Sequence, residues 1–448
     1  MTERQDIPAL DFSLLARWIE PLSREGFADL FFEWKREFRV SWNDGKLLGP
    51  IFLAENGVSA RARRGDRLVL AASPRADESG AREVVRRLAS RLSSSSYPKS
   101  ADAEPEAASD DFPDSAAWIR KLGSVFSRAF ASERHRVEVR RLRTSRAILN
   151  AAGGPHQFSR TRISVNGTAL TDTRSGPRWR AFNFHIPEAD DGAFEELRLR
   201  LRALSSPGGS GVAAVEGPSD VLFDSGTAAF FFHEVLSHPL EADAPASRLA
   251  SLLKARVCPR EIEVSDEPSR LDLFGGYPVD DEGVPARRTH LVNAGHLASL
   301  LRDRARSDAL HPSTGNGRRP GPFDHAAPRG SNIVVGSGGA SEGEMLHRLS
   351  NGIRIEELAG GSVDPASGEF RLRFASAQSI QRGRPGQNLG AGILHGDILD
   401  ALDRIDPLLG VRARACRQLA WCAREGKVLP IGGEAPAMIV RRLHVTSQ

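Results

Sequence analysis

The chain contains the run His233-Glu234-Val235-Leu236-Ser237-His238, which follows the apolar stretch Ala228-Ala229-Phe230-Phe231-Phe232. Two imidazoles and a carboxylate on one buried element are what a hydrolytic zinc site requires. Neutral imidazole nitrogens bind Zn²⁺, and a nearby carboxylate can take the proton from a water whose pKa the metal has lowered to roughly 7. The spacing is unusual. Histidines four residues apart share one face of an α-helix, whereas five steps at 3.6 residues per turn leave the second ring rotated by about 140°. A shared metal therefore requires the helix to widen or unwind near His238. Pro239 gives a reason, since the residue before a proline is pushed out of the α region. Two ordinary buried histidines are the alternative.

Further motifs follow in order. Leu240, Glu241 and Asp243 come after His238, and Asp280-Asp281-Glu282-Gly283-Val284-Pro285 and Thr314-Gly315-Asn316-Gly317-Arg318-Arg319 come next. Gly360-Gly361-Ser362-Val363-Asp364, Ser367-Gly368-Glu369-Phe370, Cys422-Ala423-Arg424-Glu425-Gly426 and Leu429-Pro430-Ile431-Gly432 complete the series. Spread over residues 226 to 436, this collinear set resembles the TldD/PmbA family of metallopeptidases, also called modulators of DNA gyrase. The resemblance is to its catalytic, TldD-like branch. The chain departs from that pattern at Ser237 and Pro239, where small residues and often glycine are usual.

The resemblance implies a third metal ligand at Cys422; a thiolate with two histidines leaves one open position, as in catalytic zinc. It also implies one Zn²⁺ per chain and a dimer, either with a TldE/PmbA-like paralogue or with itself. Glu234 is the candidate general base. Glu241 and Asp243 could accept the hydrogen bonds that fix imidazole tautomers, or could form a solvated turn. Arg318 or Arg319 could hold a substrate carboxylate or a neighbouring subunit. Cys258 and Cys416 read as core residues, and three cysteines without repeated spacing form no disulfide framework. His311, His325 and His395 stay unassigned. Gly336-Ser337-Gly338-Gly339-Ala340-Ser341 lacks the Gly-Lys-Ser/Thr ending of a phosphate loop and reads as a connection or lid.

These residues need a scaffold, and 448 residues suffice for two or three domains. The expected class is α+β. An N-terminal α+β domain (residues 1–215) with a mixed or antiparallel sheet precedes a β-rich C-terminal domain (216–448) that carries the metal site. In the N-terminal part, helical apolar spacing covers Leu10 to Ile19, Val84 to Leu92 and Trp118 to Phe126. Strands are expected over 28–42, 46–53 and 58–71, and again from Val137 to Val165, with hairpin turns at Asn43-Asp44-Gly45 and Asn166-Gly167. The Ser, Ala, Asp, Glu and Pro content of residues 93–115 predicts a mobile linker or loop.

Composition narrows the partners. With 61 basic and 57 acidic residues the net charge is only +4, so the pI near 9.2 is weak support for nucleic-acid binding. The cluster Arg134, Arg136, Arg140, Arg141, Arg143 and Arg146 lacks interleaved aromatics and reads as a solvated face or subunit contact rather than a phosphate-binding one. No apolar run approaches the roughly 20 residues of a membrane span, and the N-terminus lacks a secretory pattern, so a cytoplasmic protein is expected. The leading expectation is a zinc peptidase for small or unfolded, extended peptides, acting in maturation, leader removal or degradation. The alternative is a non-catalytic regulatory subunit that binds a protein or nucleic-acid partner. A different reaction on the same scaffold is a third option.

Overall fold

The computed structural model describes residues 7–24, 26–93, 106–107, 114–129, 134–151, 153–173, 176–186, 191–205, 216–411 and 413–447. Most of the linker expected over 93–115, and residues 206–215 leading up to the expected boundary at 215, lie outside the described residues. The architecture is α+β and strand-rich. Among the described residues, no helix is long and apolar enough to cross a membrane.

The N-terminal strands form one antiparallel sheet in the spatial order 67–73, 46–64, 26–43, 135–150, 154–173, 176–186. Four described helices pack on it, the first being Phe12–Ile19, which buries Leu15 and Ile19. Glu78–Ser93 buries Ala81, Val84 and Leu88 against one part of the sheet, while Ser115–Ala129 and Asp191–Ser205 bury Trp118, Leu122, Phe194 and Leu201 against another. The turn at Asp44-Gly45 forms as expected, with φ of 50° and 76° joining Asn43 to Lys46.

One turn and the limits of two strands are corrected. The expected strands 46–53 and 58–71 regroup: Lys46–Arg64 is one strand through the interior Gly57, where a Cβ would stand 2.5 Å from Pro322 Cγ, and the chain reverses at Gly65-Asp66 before Arg67–Ser73. Asn166-Gly167 is also interior, paired with Glu138 and Val137, and the reversal occurs earlier, between Asn150 and Gly154. Gly167 is needed there because the Phe182 ring lies over it, with Cζ 2.6 Å from where a Cβ would be.

The arginine cluster does not form one face, because successive strand residues point to opposite sides. Arg141 bonds Asp114, whereas Arg140 bonds Glu37 and stacks over Trp421. Arg146 bridges Glu33 and Asp281, tying the sheet to the C-terminal half.

From Gly217 onward the strands build a mixed sheet and a smaller one. The first has the order 352–363, 217–223, 438–447, 392–397, 369–381, 384–389. The second contains 264–266, 332–335 and 432–435. Between them lies the helix Thr227–Phe232, buried along its whole length, with Phe231 and Phe232 at the centre of the largest apolar core. A helix apolar on every side belongs inside. It delivers the histidine run into the interior.

Candidate metal centre

The helix widens where the two histidines are. After Phe232 the residues His233–Ser237 make a π-turn, in which the His238 amide donates to the His233 carbonyl five residues back instead of four. The extra residue per turn compensates for the five-residue spacing, and the rings meet with centroids 4.6 Å apart. Pro239 then falls in a tight 3₁₀ turn, His238–Leu240, that ends the element. The unwinding expected at His238 thus takes the form of a π-turn before it.

Cys422 reaches the pair from the strand Trp421–Arg424, with Sγ 3.2 Å from His238 Nε2. One donor atom from each of His233, His238 and Cys422 lies within 4.8 Å of the others. Donors bound to one tetrahedral zinc at 2.0 to 2.3 Å are roughly 3.5 Å apart, so this set fits such an ion. A second observation agrees: His233 Nε2 is buried and has no hydrogen-bond partner, which is costly unless something binds there.

Charge around the cluster is ordered. Burial, with added repulsion from His238 and Arg318, holds His233 well below its ordinary pKa and keeps it neutral. Burial also disfavours the His238 cation, but Cys422 and Glu241 outweigh it and raise His238 well above the usual value. His238 Nδ1 is 3.5 Å from Glu241 Oε2, too long for an ordinary hydrogen bond, so this pairing is electrostatic. Glu234 is buried beside the histidines, and loss of solvation raises its pKa.

Glu241 and Asp243 are not a solvated turn. Arg329 and Arg424 clamp both: Arg329 Nη1 is 2.9 Å from Asp243 Oδ2 and 3.7 Å from Glu241, while Arg424 bonds Glu241 and lies 3.1 Å from Asp243. Sequence reasoning gave Arg329 and Arg424 no role. A signal existed for Arg424, which is two residues from Cys422 on one strand and therefore points to the same side.

The expected substrate role of Arg318 and Arg319 does not match their placement. Arg319 is fully buried and bonded to Ser59 Oγ at 3.1 Å, Asp29 at 3.2 Å and the Asp281 carbonyl at 2.9 Å. It is committed to joining the halves of the molecule. Arg318 donates to the Gly330 carbonyl and, at 2.6 Å, to that of Pro430, fastening the loop that follows Cys422. Asp281 and Glu282 belong to the same buried ion network, through Arg146 and Arg61. The Gly336–Ser341 segment is a fixed connection; it bonds Glu263, Leu409 and Gly410 and ends in the Ser341 capping box of the next helix.

A cavity of about 440 Å³ holds the cluster and is lined by His233, Glu234, His238, Cys422, the strand residues 357–363 and, from the N-terminal sheet, Phe182 and Asn183. The strand Gly352–Val363 pairs along its length with 369–381 but meets 217–223 only through Ile353–Ile355. Beyond Ile355, no described strand pairs with its other edge, and residues 357–363 run along the cavity.

Comparison with known proteins places this geometry. The family model described as PmbA/TldA metallopeptidase C-terminal domain matches residues 216–447. A metalloprotease of Methanothermobacter thermautotrophicus is 28% identical over 320 residues, covering 68% of this chain and 68% of its own length. A zinc metalloprotease TldD homolog of Saccharolobus solfataricus is 25% identical over 254 residues, covering 55% of each chain. The crystal structure of TldE from Thermococcus kodakarensis superposes with a TM-score of 0.72 over 97% of this chain and 99% of that one; at 15% identity this shows a shared fold.

Proposed function

The chain belongs to the PmbA/TldD metallopeptidase family, and from that premise we propose that it hydrolyses extended or unfolded peptides at a zinc site held by His233, His238 and Cys422. The observation that carries this reading is the π-turn. It is a departure from regular helix that places two imidazoles and a thiol around one point, with Glu234 alongside. The name of the Saccharolobus relative supports zinc as the metal.

Zinc held there would supply Lewis acidity to a peptide carbonyl and acidify a water. Glu234 is the general base: its carboxylate takes a proton from the attacking water and passes it to the leaving amine. Glu241, held with Asp243 by Arg329 and Arg424, balances charge beside His238. Substrate main chain would pair with the edge of residues 358–363, beyond the stretch that meets 217–223. Backbone pairing reads no side chains and would exclude folded proteins.

In this proposal the N-terminal domain, residues 1–215, closes one side of the cleft, and the C-terminal domain, 216–448, carries the chemistry. The partner is a TldE-like paralogue or a second copy, as the shared fold with TldE supports. That the three cysteines form no disulfide suits a reducing, cytoplasmic setting.

The test is metal content and turnover in one preparation. The wild type should carry about one zinc per chain, lost in His233→Ala and Cys422→Ser, whereas Glu234→Gln should keep zinc and lose peptide hydrolysis. Absence of metal after zinc is supplied would sink the peptidase reading in favour of a non-catalytic subunit. Normal turnover by Glu234→Gln would remove Glu234 as the base.

A further inference from the structure

We propose that the apolar side of the cavity holding the cluster is a side-chain pocket for a bulky apolar residue of the substrate peptide, with Phe182 setting its selectivity; this rests on the peptidase reading above. The whole cavity, metal site included, measures about 440 Å³, within the range typical of ligand pockets, roughly 300 to 1,000 Å³.

The walls come from two separate apolar cores. Phe230, Leu358, Leu419 and Ile431 belong to the core of the C-terminal half, and Phe182 to that of the N-terminal sheet. Phe230 precedes His233 by three residues on one helix, so its ring stands on the same side as the imidazole. Trp421 lines the cavity next to Cys422. Its indole is held by the Arg140 guanidinium 5.0 Å above the ring and by Phe274 at a centroid distance of 5.2 Å. Phe182 is fixed in turn by its seat over Gly167. The apolar wall is therefore rigid before any ligand arrives.

Charge points the same way. Three lining residues are ionisable carboxylates or guanidinium, namely Glu234, Glu357 and Arg424. Glu234 is assigned to catalysis, and Arg424 is engaged by Glu241 and Asp243. Away from the metal position, an acidic substrate side chain against the apolar wall would lose its hydration and meet only Arg424, which is already engaged, and that is costly. A basic side chain would meet Glu357 in the lining, and that competing preference is what the experiment must separate.

The experiment is a set of capped pentapeptide libraries, each with one position fixed as Phe, Leu, Trp, Ala, Lys or Asp, cleaved by zinc-loaded wild type and Phe182→Ala. At one position relative to the scissile bond, kcat/KM for Phe and Leu should exceed that for Ala by roughly tenfold or more, and Asp should be disfavoured further. Phe182→Ala enlarges the pocket, so its Trp-to-Leu ratio should rise by roughly tenfold. A flat wild-type profile, or one led by Lys, overturns the proposal, and the latter would assign selectivity to Glu357. An unchanged Trp-to-Leu ratio in Phe182→Ala overturns the role of Phe182. If that variant does not fold, the wild-type profile decides alone for the pocket, and Phe182→Leu, which keeps an apolar side chain, decides for the residue. Failure of the folded, zinc-loaded wild type to cleave any peptide is a different result, and it removes the peptidase reading itself.

Discussion

Replacing Gly361 by alanine tests whether the Glu234 carboxylate has to stand where it does. The strand Gly352–Val363 passes the metal-bearing helix with this glycine against Glu234; a Cβ built on it falls 2.7 Å from both Cγ and Cδ and 2.8 Å from Oε1 of that residue. Ordinary contact begins near 3.4 Å, so either the carboxylate or the strand must retreat by about 0.7 Å. Backbone strain is not involved, because Gly361 is not among the residues with positive φ. A displacement on the order of 1 Å in a reacting group costs about a hundredfold in rate, or about 3 kcal/mol of barrier. In Gly361→Ala we therefore expect kcat to fall by roughly thirty- to a hundredfold, with KM changed far less and zinc content unchanged. Peptide cleavage kinetics, zinc analysis and thermal unfolding on the same samples would separate this outcome from general loss of fold. The double variant with Glu234→Gln should be no slower than Glu234→Gln alone, since both changes act through one carboxylate. A wild-type kcat in Gly361→Ala, or fully additive losses in the double variant, would refute the reasoning.

Thiol chemistry gives a second prediction. Cys258 is buried with its pKa pushed up to about 12, and Cys416 is also buried, so iodoacetamide at about pH 8 should alkylate metal-free protein only at Cys422. Added zinc should protect that site, and peptide mapping that found Cys258 modified in folded protein would contradict this. Arg61→Leu leaves Asp29 and Glu282 buried without their shared cation; urea unfolding should show a loss of about 3–5 kcal/mol, and a loss below about 1 kcal/mol would mean the network is not a main tie between the halves. Gly167→Ala should cost about 1–3 kcal/mol by overpacking, because its Cβ would meet the Arg136 carbonyl at 2.4 Å and Phe182 at 2.6 Å. Burial and the nearby Glu282 raise the carboxyl of Asp303 from 3.8 to about 6, so the folded state binds this proton more tightly than the unfolded one. The contribution is present below pH 3.8 and is lost as pH rises through about 6. Asp303→Asn should flatten that part of the stability profile, and urea midpoints that still fell across it as in the wild type would assign the effect elsewhere.

The chemistry was more legible in the sequence than the scaffold that holds it. A five-residue spacing between His233 and His238 cannot share a metal on regular helix, so the sequence itself demanded a local widening, and Pro239 marked where the element had to end. What it could not reveal was how the widening is distributed: the π-turn begins at His233 and leaves His238 in helical backbone. Position along strands was the weaker point. Asn166-Gly167 carries the composition of a hairpin turn, yet its glycine answers to a tertiary demand, the ring of Phe182, which arrives from another strand. Gly57, in the gap between the strands expected over 46–53 and 58–71, is likewise an interior position, packed under Pro322 from 265 residues away.

The arginines show why such errors concentrate at the seam between the halves. Their partners are far away in sequence: Arg61 with Glu282, Arg146 with Asp281, Arg319 with Asp29 and Ser59. A guanidinium in a sequence is equally suited to a phosphate, a substrate carboxylate, a solvent-facing strand or a buried partner, and only the fold decides among these. Here the fold spends them on joining the N-terminal sheet to the loops that frame the cluster. Asp281 and Arg319 lie near the loop fastened by Arg318, whose bond to Pro430 holds the chain just beyond Cys422. The ion network that fixes the two halves therefore also constrains the cavity wall, one side of which is Phe182 from the N-terminal sheet and the other Trp421 from the ligand strand. Weakening the seam should accordingly blur side-chain selectivity before it releases metal, because the two histidines are anchored in the central core and the pocket is shared between the halves.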